Sequence, residues 1–356
     1  MHTAVEHKYT RLLTHIRAAI QDGTYPEGSR LEPELALAEC FGVSRQTVRR
    51  AFGVLEEEGY VVRRQGSGTF VRSSQNSRKP LVKLIGVVTT YISDYILPSF
   101  IRGIEEVTEA NGYSFVLRST GNRVDKEREV LSFFLESRVD GLIIEGAKTA
   151  FPNPNMDIFR QLEQQGIPLV FMNGYYPALS EHPYVITDDR AGGEMAARHL
   201  LEAGHRRIGG IFKVDDRQGH ERYAGFAEAL RKEDVSLQDA CIQWYTTEMR
   251  DKLFSGAASL LPALHGCTAV ICYNDEVAAP LEAALLQAGL RVPEDMAVIS
   301  FDDSQYAAFA PVPLTSLAHP KEEVGRTAAR MLLKLVRGKR VKSVVLPWKL
   351  VRRGSA

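Results

Sequence analysis

Arg45, Gln46, Arg49 and Arg50 fall within one short string, SRQTVRR. At helical spacing they occupy the N-terminal end of a helix, on the face opposite Val48, Ala51, Phe52 and Leu55. Those apolar residues recur at i, i+3, i+4 and i+7, the mark of a buried stripe. Guanidinium and amide groups in this arrangement hydrogen-bond to base edges and phosphates when the helix enters a major groove. A second set of chemistry-bearing residues follows apolar runs further along the chain. It comprises Tyr91, Ser93 and Asp94; Glu145; Asn173; Asp188 and Asp189; Lys213; Asn274 and Asp275; and Asp302 and Asp303. Singly, each suits a helix cap or a loop, and Asp188-Asp189 and Asp275 fit the cap reading well. Together they offer many hydrogen-bonding groups to a polar ligand rich in hydroxyls. They include no nucleophile–base pair, and no Gly-rich phosphate loop follows the first strand, so an enzyme is not expected.

The elements that position the first set read clearly. Leu12, Leu13, Ile16, Ala19 and Ile20 line one side of a helix over 6–21, which Gly23, Pro26 and Gly28 end. A second helix begins near Pro33-Glu34 and turns Leu35, Ala38 and Cys40-Phe41 towards a core. Gly42 permits a sharp turn, and Ser44 caps the arginine-bearing helix. Val61–Arg64 and Thr69–Val71 read as two strands around Gln65-Gly66-Ser67-Gly68, a Gly-tipped basic hairpin in which Arg63 and Arg64 can hold phosphates. Residues 1–72 therefore read as a winged helix-turn-helix of α+β class. A protein–protein module would share the periodicity but gives no reason for arginines at one end of one helix. The string SSQNSRKPLVK, 73–83, reads as a flexible linker.

From 84 to 352 short apolar runs alternate with amphipathic segments. The runs cover 84–90, 115–120, 141–145, 168–173, 184–187, 208–212, 269–274 and 297–302. That alternation predicts parallel sheets covered by helices, with ligand at the C-terminal strand ends. Tyr91, Tyr95 and Phe151 are candidates to pack on an apolar sugar face.

With 356 residues, the chain is long enough for two or three domains. Its net charge is zero, yet residues 45–79 hold eight basic and three acidic residues, a local excess of positive charge suited to a partner with phosphates. No apolar run approaches the roughly 18 residues of a membrane span. The first twenty residues carry charges throughout, so no secretory signal is expected and a cytoplasmic protein is. Cys40, Cys241, Cys267 and Cys272 are scattered, which predicts buried free thiols and no metal site.

Arg30-Leu31, Glu34, Leu37, Phe41-Gly42-Val43-Ser44-Arg45, Thr47-Val48-Arg49, Ala51, Leu55, Gly59 and Gln65 to Phe70 together resemble the GntR family of bacterial transcription regulators. Glu32-Pro33 departs from the family's usual Pro-Ser. The resemblance implies DNA contacts by Glu34, Arg45, Gln46, Arg49 and the wing residues Gln65, Gly66, Ser67 and Gly68, with Lys8 on the DNA backbone. The strings ITDDRAGGEMAARHLLEAGHRRIGGI, RYAGFAEAL, CYNDEVAAPLEAALLQAGLRVPEDMAVISFDDS and PLTSLAHPKEEVGRTAARMLL resemble the effector domain of the LacI family, whose fold is shared with periplasmic sugar-binding proteins. That resemblance implies effector contacts at Asn173, Arg222, Asn274, Asp302 and His319, to which the strand exits add Tyr91, Asp94 and Glu145. The pairing of a GntR head with this sensor, and the strings at 87–105, 212–219 and 272–276, resemble regulators of L-arabinose metabolism in Gram-positive bacteria. L-arabinose is then the implied effector; another pentose or hexose, and a co-repressor role, stay open.

The expected architecture is thus a winged head followed by a two-lobed, periplasmic-binding-protein-like α/β domain with Rossmann-like parallel sheets. Lobe one takes about 84–188 and 317–341, and lobe two about 189–314 and 343–351. Helices 98–110 and 124–136 are expected to supply a homodimer face. Two heads would then meet a palindromic double-stranded operator. The sugar would release it with no other cofactor.

Overall fold

The computed structural model describes residues 12–20, 22–57, 59–64, 67–72, 83–137 and 139–356. The chain divides between Val82 and Lys83 into two units. Of the expected linker at 73–83, all but Lys83 lies outside the described residues, as do Lys8, Gln65 and Gly66.

In the first unit, α1 covers 12–20, α2 Glu34–Phe41 and α3 Arg45–Glu57, followed by β1 Val61–Arg64 and β2 Gly68–Val71. Gly42 adopts left-handed backbone at φ 59°, which turns α2 into α3. The Ser44 hydroxyl accepts the Thr47 backbone N–H at 3.1 Å, as a cap does. β1 and β2 pair antiparallel, from Val61↔Val71 to Arg64↔Gly68, and form the wing. Val48, Ala51, Phe52 and Leu55 are buried with Leu12, Ile16 and Leu37 in one core. On α2 the inward residue is Leu37, while Leu35 and Cys40 face solvent. Both had been expected inside; α2 is only two turns long, and it buries a single ridge.

The second unit has two sheets. In lobe one, β3 (Leu84–Thr89), α4 (Leu97–Glu109), β4 (Ser114–Ser119), α5 (Val124–Glu136), β5 (Gly141–Ile144), α6 (Met156–Gln164), β6 (Leu169–Met172) and β7 (Tyr184–Thr187) follow in order. The chain then enters lobe two. There it forms α7 (Asp189–Glu202), β8 (Ile208–Lys213), α8 (Arg217–Lys232), β9 (Ile242–Tyr245), α9 (Arg250–Ser255), β10 (Ala269–Cys272), α10 (Asp275–Gln287), β11 (Ala297–Asp302), α11 (Gln305–Phe309) and β12 (Thr315–Ala318). It returns for α12 (Lys321–Val336) and β13 (Val344–Leu346), and crosses a third time into β14 (Lys349–Val351). The sheet orders are β13-β7-β6-β5-β3-β4 and β14-β12-β11-β10-β8-β9. Every pair is parallel except β12 with β14. β5, β6, β8, β10 and β11 are buried along their whole lengths, which is why they read as unbroken apolar runs.

Three expectations change. Residues 317–318 belong to β12 of lobe two, because the crossing falls at His319-Pro320. The terminal segment expected in lobe two splits, so that β13 pairs with β7 of lobe one and only β14 joins β12. The sensor also extends past 352. The Ser355 hydroxyl accepts the Thr315 N–H at 2.8 Å and donates to the Val298 carbonyl at 2.6 Å.

Helices α7 and α8 touch backbone to backbone because glycine sits at their crossing. A Cβ added at Gly225 would lie 1.9 Å from the Arg190 carbonyl oxygen, and one at Gly193 2.0 Å from that of Arg222. This contact fixes where α8 presents Arg222. Gly225→Ala is therefore expected to destabilise the sensor by about 1–3 kcal/mol, the range for overpacking; an unchanged denaturant midpoint would contradict the reading.

Candidate functional site

On the head, Arg45, Gln46, Arg49 and Arg50 stand exposed along one end of α3, with Ser67 and Gly68 at the edge of the wing. Glu34, the first residue of α2, organises this face. Its carboxylate accepts the Nε–H of Arg45 at 2.9 Å and that of Arg49 at 2.9 Å. Burial alone would push its carboxyl up, but these two arginines hold it below the ordinary carboxylate range. Arg63 acts differently from its expected role: its guanidinium donates to the Arg49 carbonyl at 2.6 Å and pairs with Glu56 at 3.5 Å, bracing the wing against α3. Arg64 packs over the Phe70 ring at 4.8 Å.

In the sensor, strand ends from both lobes meet at a cavity of about 90 Å³. Of the expected residues, Tyr91, Glu145, Asn173, Arg222, Asn274, Asp302 and His319 line it. Asp94 does not: it is exposed, because the bend after β3 turns Ser93 and Tyr95 inward instead. The cavity also takes Lys213, Asp216, Arg250 and Glu276, with Ile96, Leu97 and Phe100 as an apolar wall. Lys213 stood at a strand exit in the sequence, and the apolar wall lay in the string YILPSFI. Arg250 and Glu276 gave no comparable signal.

The aromatic residues do not offer open rings. Tyr91 carries Lys213 at 5.5 Å and Arg250 at 5.0 Å from its ring centre. Tyr95 stacks on Tyr306 at 5.6 Å, and its hydroxyl donates to Asp302 at 2.7 Å. Phe151 is exposed and outside the cavity.

Each cation of the cavity has an acid. Lys213 Nζ lies 2.6 Å from Asp216, Arg250 2.7 Å from Glu276, and Arg222 Nε 2.9 Å from Asp189. Arg222 is only 2% exposed. Burial works against its charge, but Asp189 and Asp302 hold it cationic. Burial pushes the Asp189 carboxyl up to about 6, opposed by Arg222, so the pair is intact at neutral pH. The Arg222 guanidinium also sits 4.3 Å from the Phe301 ring centre and 5.0 Å from that of Trp348. Asp189, His319 and Trp348 stand on the three successive crossings between the lobes, so all three connections converge on this cation.

Several acids position other groups. Glu145 accepts Thr89 Oγ1 at 2.8 Å, Thr90 N at 2.9 Å and the Asn173 amide at 2.9 Å. Asn274 caps α10 by accepting the Val277 N–H at 3.2 Å, the task expected of Asp275. Asp275 lies beneath, where it accepts the Ser316 hydroxyl at 2.7 Å and the Ser304 N–H at 2.7 Å. Asp188 does cap α7, accepting the Ala191 N–H at 3.0 Å. Two cavity residues keep buried polar atoms with no partner among the described residues: Asn173 at Oδ1, and His319 at both ring nitrogens. Burial, then Lys321 and Arg222, hold His319 well below its ordinary value and therefore neutral. The site thus presents neutral acceptors and donors beside cations that are each already paired, which suits hydroxyl groups more than a free anion.

A DNA-reading winged head and a two-lobed small-molecule sensor on one chain define a ligand-responsive transcription regulator. Comparison with known proteins agrees. Residues 8–71 match the bacterial regulatory proteins of the gntR family, and 197–356 match the periplasmic binding protein-like domain. The chain is 38% identical over 349 residues to the arabinose metabolism transcriptional repressor of Halalkalibacterium halodurans, covering 94% of this chain and 91% of that one. It is 40% identical over 340 residues to that of Geobacillus stearothermophilus, covering 95% and 93%. The transcription regulator CcpA of Lactococcus lactis superposes with a TM-score of 0.69 at 26% identity, over 77% of this chain and 99% of that one. The chain belongs to this family of GntR-headed transcriptional repressors with a periplasmic-binding-protein-like domain. It is a DNA-binding regulator and not an enzyme.

Two outcomes are expected. Arg45→Ala should weaken operator binding by about 1–3 kcal/mol and relax discrimination at one base pair; a gel-shift midpoint equal to wild type would contradict this. Because His319 stays neutral, ligand affinity should show no histidine titration as pH falls from 8 to 6.5. A loss centred near 6.5 in calorimetry would contradict the assignment.

Proposed function

We propose that this chain represses genes of L-arabinose use, and that L-arabinose seated between the lobes releases the operator. The observation that carries the reading is the set of unpartnered atoms on Asn173 and His319, inside a cavity whose three cations are all paired. A ligand with hydroxyls satisfies those atoms without bringing charge. At roughly 10–15 Å³ per water-sized group, a cavity of about 90 Å³ holds about six to nine such groups, the scale of one monosaccharide. The names of the relatives select arabinose among monosaccharides.

In this reading Arg222, Asp302, Asn173 and His319 hydrogen-bond the sugar, Glu145 orients Asn173, and Asn274 contributes from the cap of α10. Tyr91 closes the cavity with Lys213 and Arg250. On the head, Arg45, Gln46, Arg49, Arg50, Ser67 and Gly68 face duplex DNA, with Glu34 fixing two of the arginines. Lys8, Gln65 and Gly66 join them by family resemblance. The protein works in the cytoplasm as a homodimer on a two-fold operator and needs no cofactor beyond the sugar. α4 spends its apolar face inside lobe one. α5 leaves Phe133 exposed, and on α11 Tyr306 is exposed and Phe309 is 84% exposed; these exposed rings support a dimer face that draws on α5 and on lobe two. Among the described residues no helix is long and apolar enough to cross a membrane.

A near-complete switch requires about 5.5 kcal/mol of preference for one state. Hydrogen bonds to charged groups contribute about 1.5–3 kcal/mol each, so a few per protomer suffice. Calorimetry on the full chain should find heat for L-arabinose and none for a disaccharide such as cellobiose. Absence of binding by any neutral monosaccharide would sink the proposal; binding of a different pentose or hexose alone would reassign the effector.

A further inference from the structure

The lobes also meet at a place that does not line the ligand cavity. Asn122 follows β4 in lobe one, is fully buried, and holds left-handed backbone at φ 54°. Its side-chain oxygen accepts the Lys148 N–H at 2.7 Å, and Lys148 is itself left-handed at φ 49°. Its amide group donates across the cleft to Asp216 Oδ1 at 3.0 Å and to Thr247 Oγ1 at 2.7 Å. More bonds cross beside it. Ala150 N donates to the Asp215 carbonyl at 3.3 Å, and Arg217 N donates to Thr149 Oγ1 at 3.1 Å. Lys148 Nζ pairs with Glu248 and lies 3.9 Å from Asp215. Asn122 and Lys148 are non-glycine residues kept in a sparsely populated conformation. Such strain persists only where surrounding contacts fix it.

Asn122 reaches the ligand cavity through its two acceptors. Asp216 holds the cavity-lining Lys213 at 2.6 Å, and Thr247 meets the cavity-lining Tyr91 hydroxyl at 3.4 Å. The charged groups around it are Asp215, Asp216, Lys213, Lys148 and Glu248. Only a neutral group with both a donor and an acceptor serves there, and an amide is one.

We infer that Asn122 is a positioning residue that latches lobe one to lobe two and sets effector affinity without touching the effector. The inference rests on the closed-cleft reading of sugar binding, and its first test is independent of sugar. Asn122→Asp is the informative variant. Aspartate tolerates left-handed backbone and keeps the acceptor for Lys148 N, but it places a carboxylate where a donor faced Asp216.

Hydrogen exchange of the sugar-free full chain reads the latch directly. The backbone N–H groups of Ala150 and Arg217, which donate between lobes, should exchange at least ten-fold faster in Asn122→Asp than in wild type. Ile143 and Ile271, inside the two sheets, should be unchanged. Equal protection at 150 and 217 would overturn the inference whatever sugar does; loss of protection at 143 and 271 as well would mean a folding defect, and Asn122→Gly then repeats the comparison with the backbone conformation still allowed. In calorimetry the variant should bind L-arabinose at least ten-fold more weakly at pH 7.5, while its operator affinity without sugar stays at the wild-type value. Lowering the pH towards 5 protonates the introduced carboxyl and restores a donor, so affinity should recover relative to wild type. Unaltered affinity with wild type binding normally would defeat the latch, whereas failure of wild type to bind any sugar would defeat the sugar reading alone.

Discussion

The buried guanidinium of Arg222 is the constraint on which the sensor depends. A cation removed from water is costly unless it is paired and hydrogen-bonded. Here Asp189 and the Tyr273 carbonyl accept from it, and Phe301, Tyr273 and Trp348 surround it. Asp189 begins lobe two after the first crossing, His319 sits on the second, and Trp348 on the third. The three connections between the lobes therefore meet at a cation that also lines the cavity. Gly193 and Gly225 let α7 and α8 close up enough to put Arg222 there. Removing the arginine would leave Asp189 buried without its counter-charge, so electrostatics alone holds the position.

The head obeys a related rule at its surface. A single carboxylate, Glu34, gathers two arginines into one direction, and Arg63 ties the wing to α3 through a backbone carbonyl. Exposed ion pairs contribute little stability. Their value here is orientation: side chains that would otherwise sample many rotamers are held over one face before DNA arrives. On duplex DNA, phosphate contacts supply affinity and base contacts supply discrimination, and both gain from side chains ordered in advance.

Most of this was legible in the residues, for identifiable reasons. The α3 stripe and the glycine at 42 gave the helix-turn-helix of the head, and the arginines at one end of α3 separated a DNA reader from a protein–protein module. Unbroken apolar runs marked the interior strands, because parallel strands buried on both faces admit little else. What escaped lay at edges and crossings. β9, with its string IQWY, joins a sheet on one side only, and β13 and β14 are three residues each. Missing β9 hid Arg250, which follows it. Asn122 and Glu276 gave no periodic signal, since loop geometry and tertiary pairing alone give them a role. Asp275 read as a cap because caps and buried acids share a residue type; only the serines beneath it distinguish the two.

Binding of sugar and of operator to one polypeptide must influence each other by equal factors if a single two-state sensor joins them. The most direct test measures L-arabinose affinity twice, for the free protein and for the protein saturated with operator. The account predicts weaker sugar binding in the complex, by the same factor by which saturating sugar weakens operator binding. Identical sugar affinity in both states would contradict it.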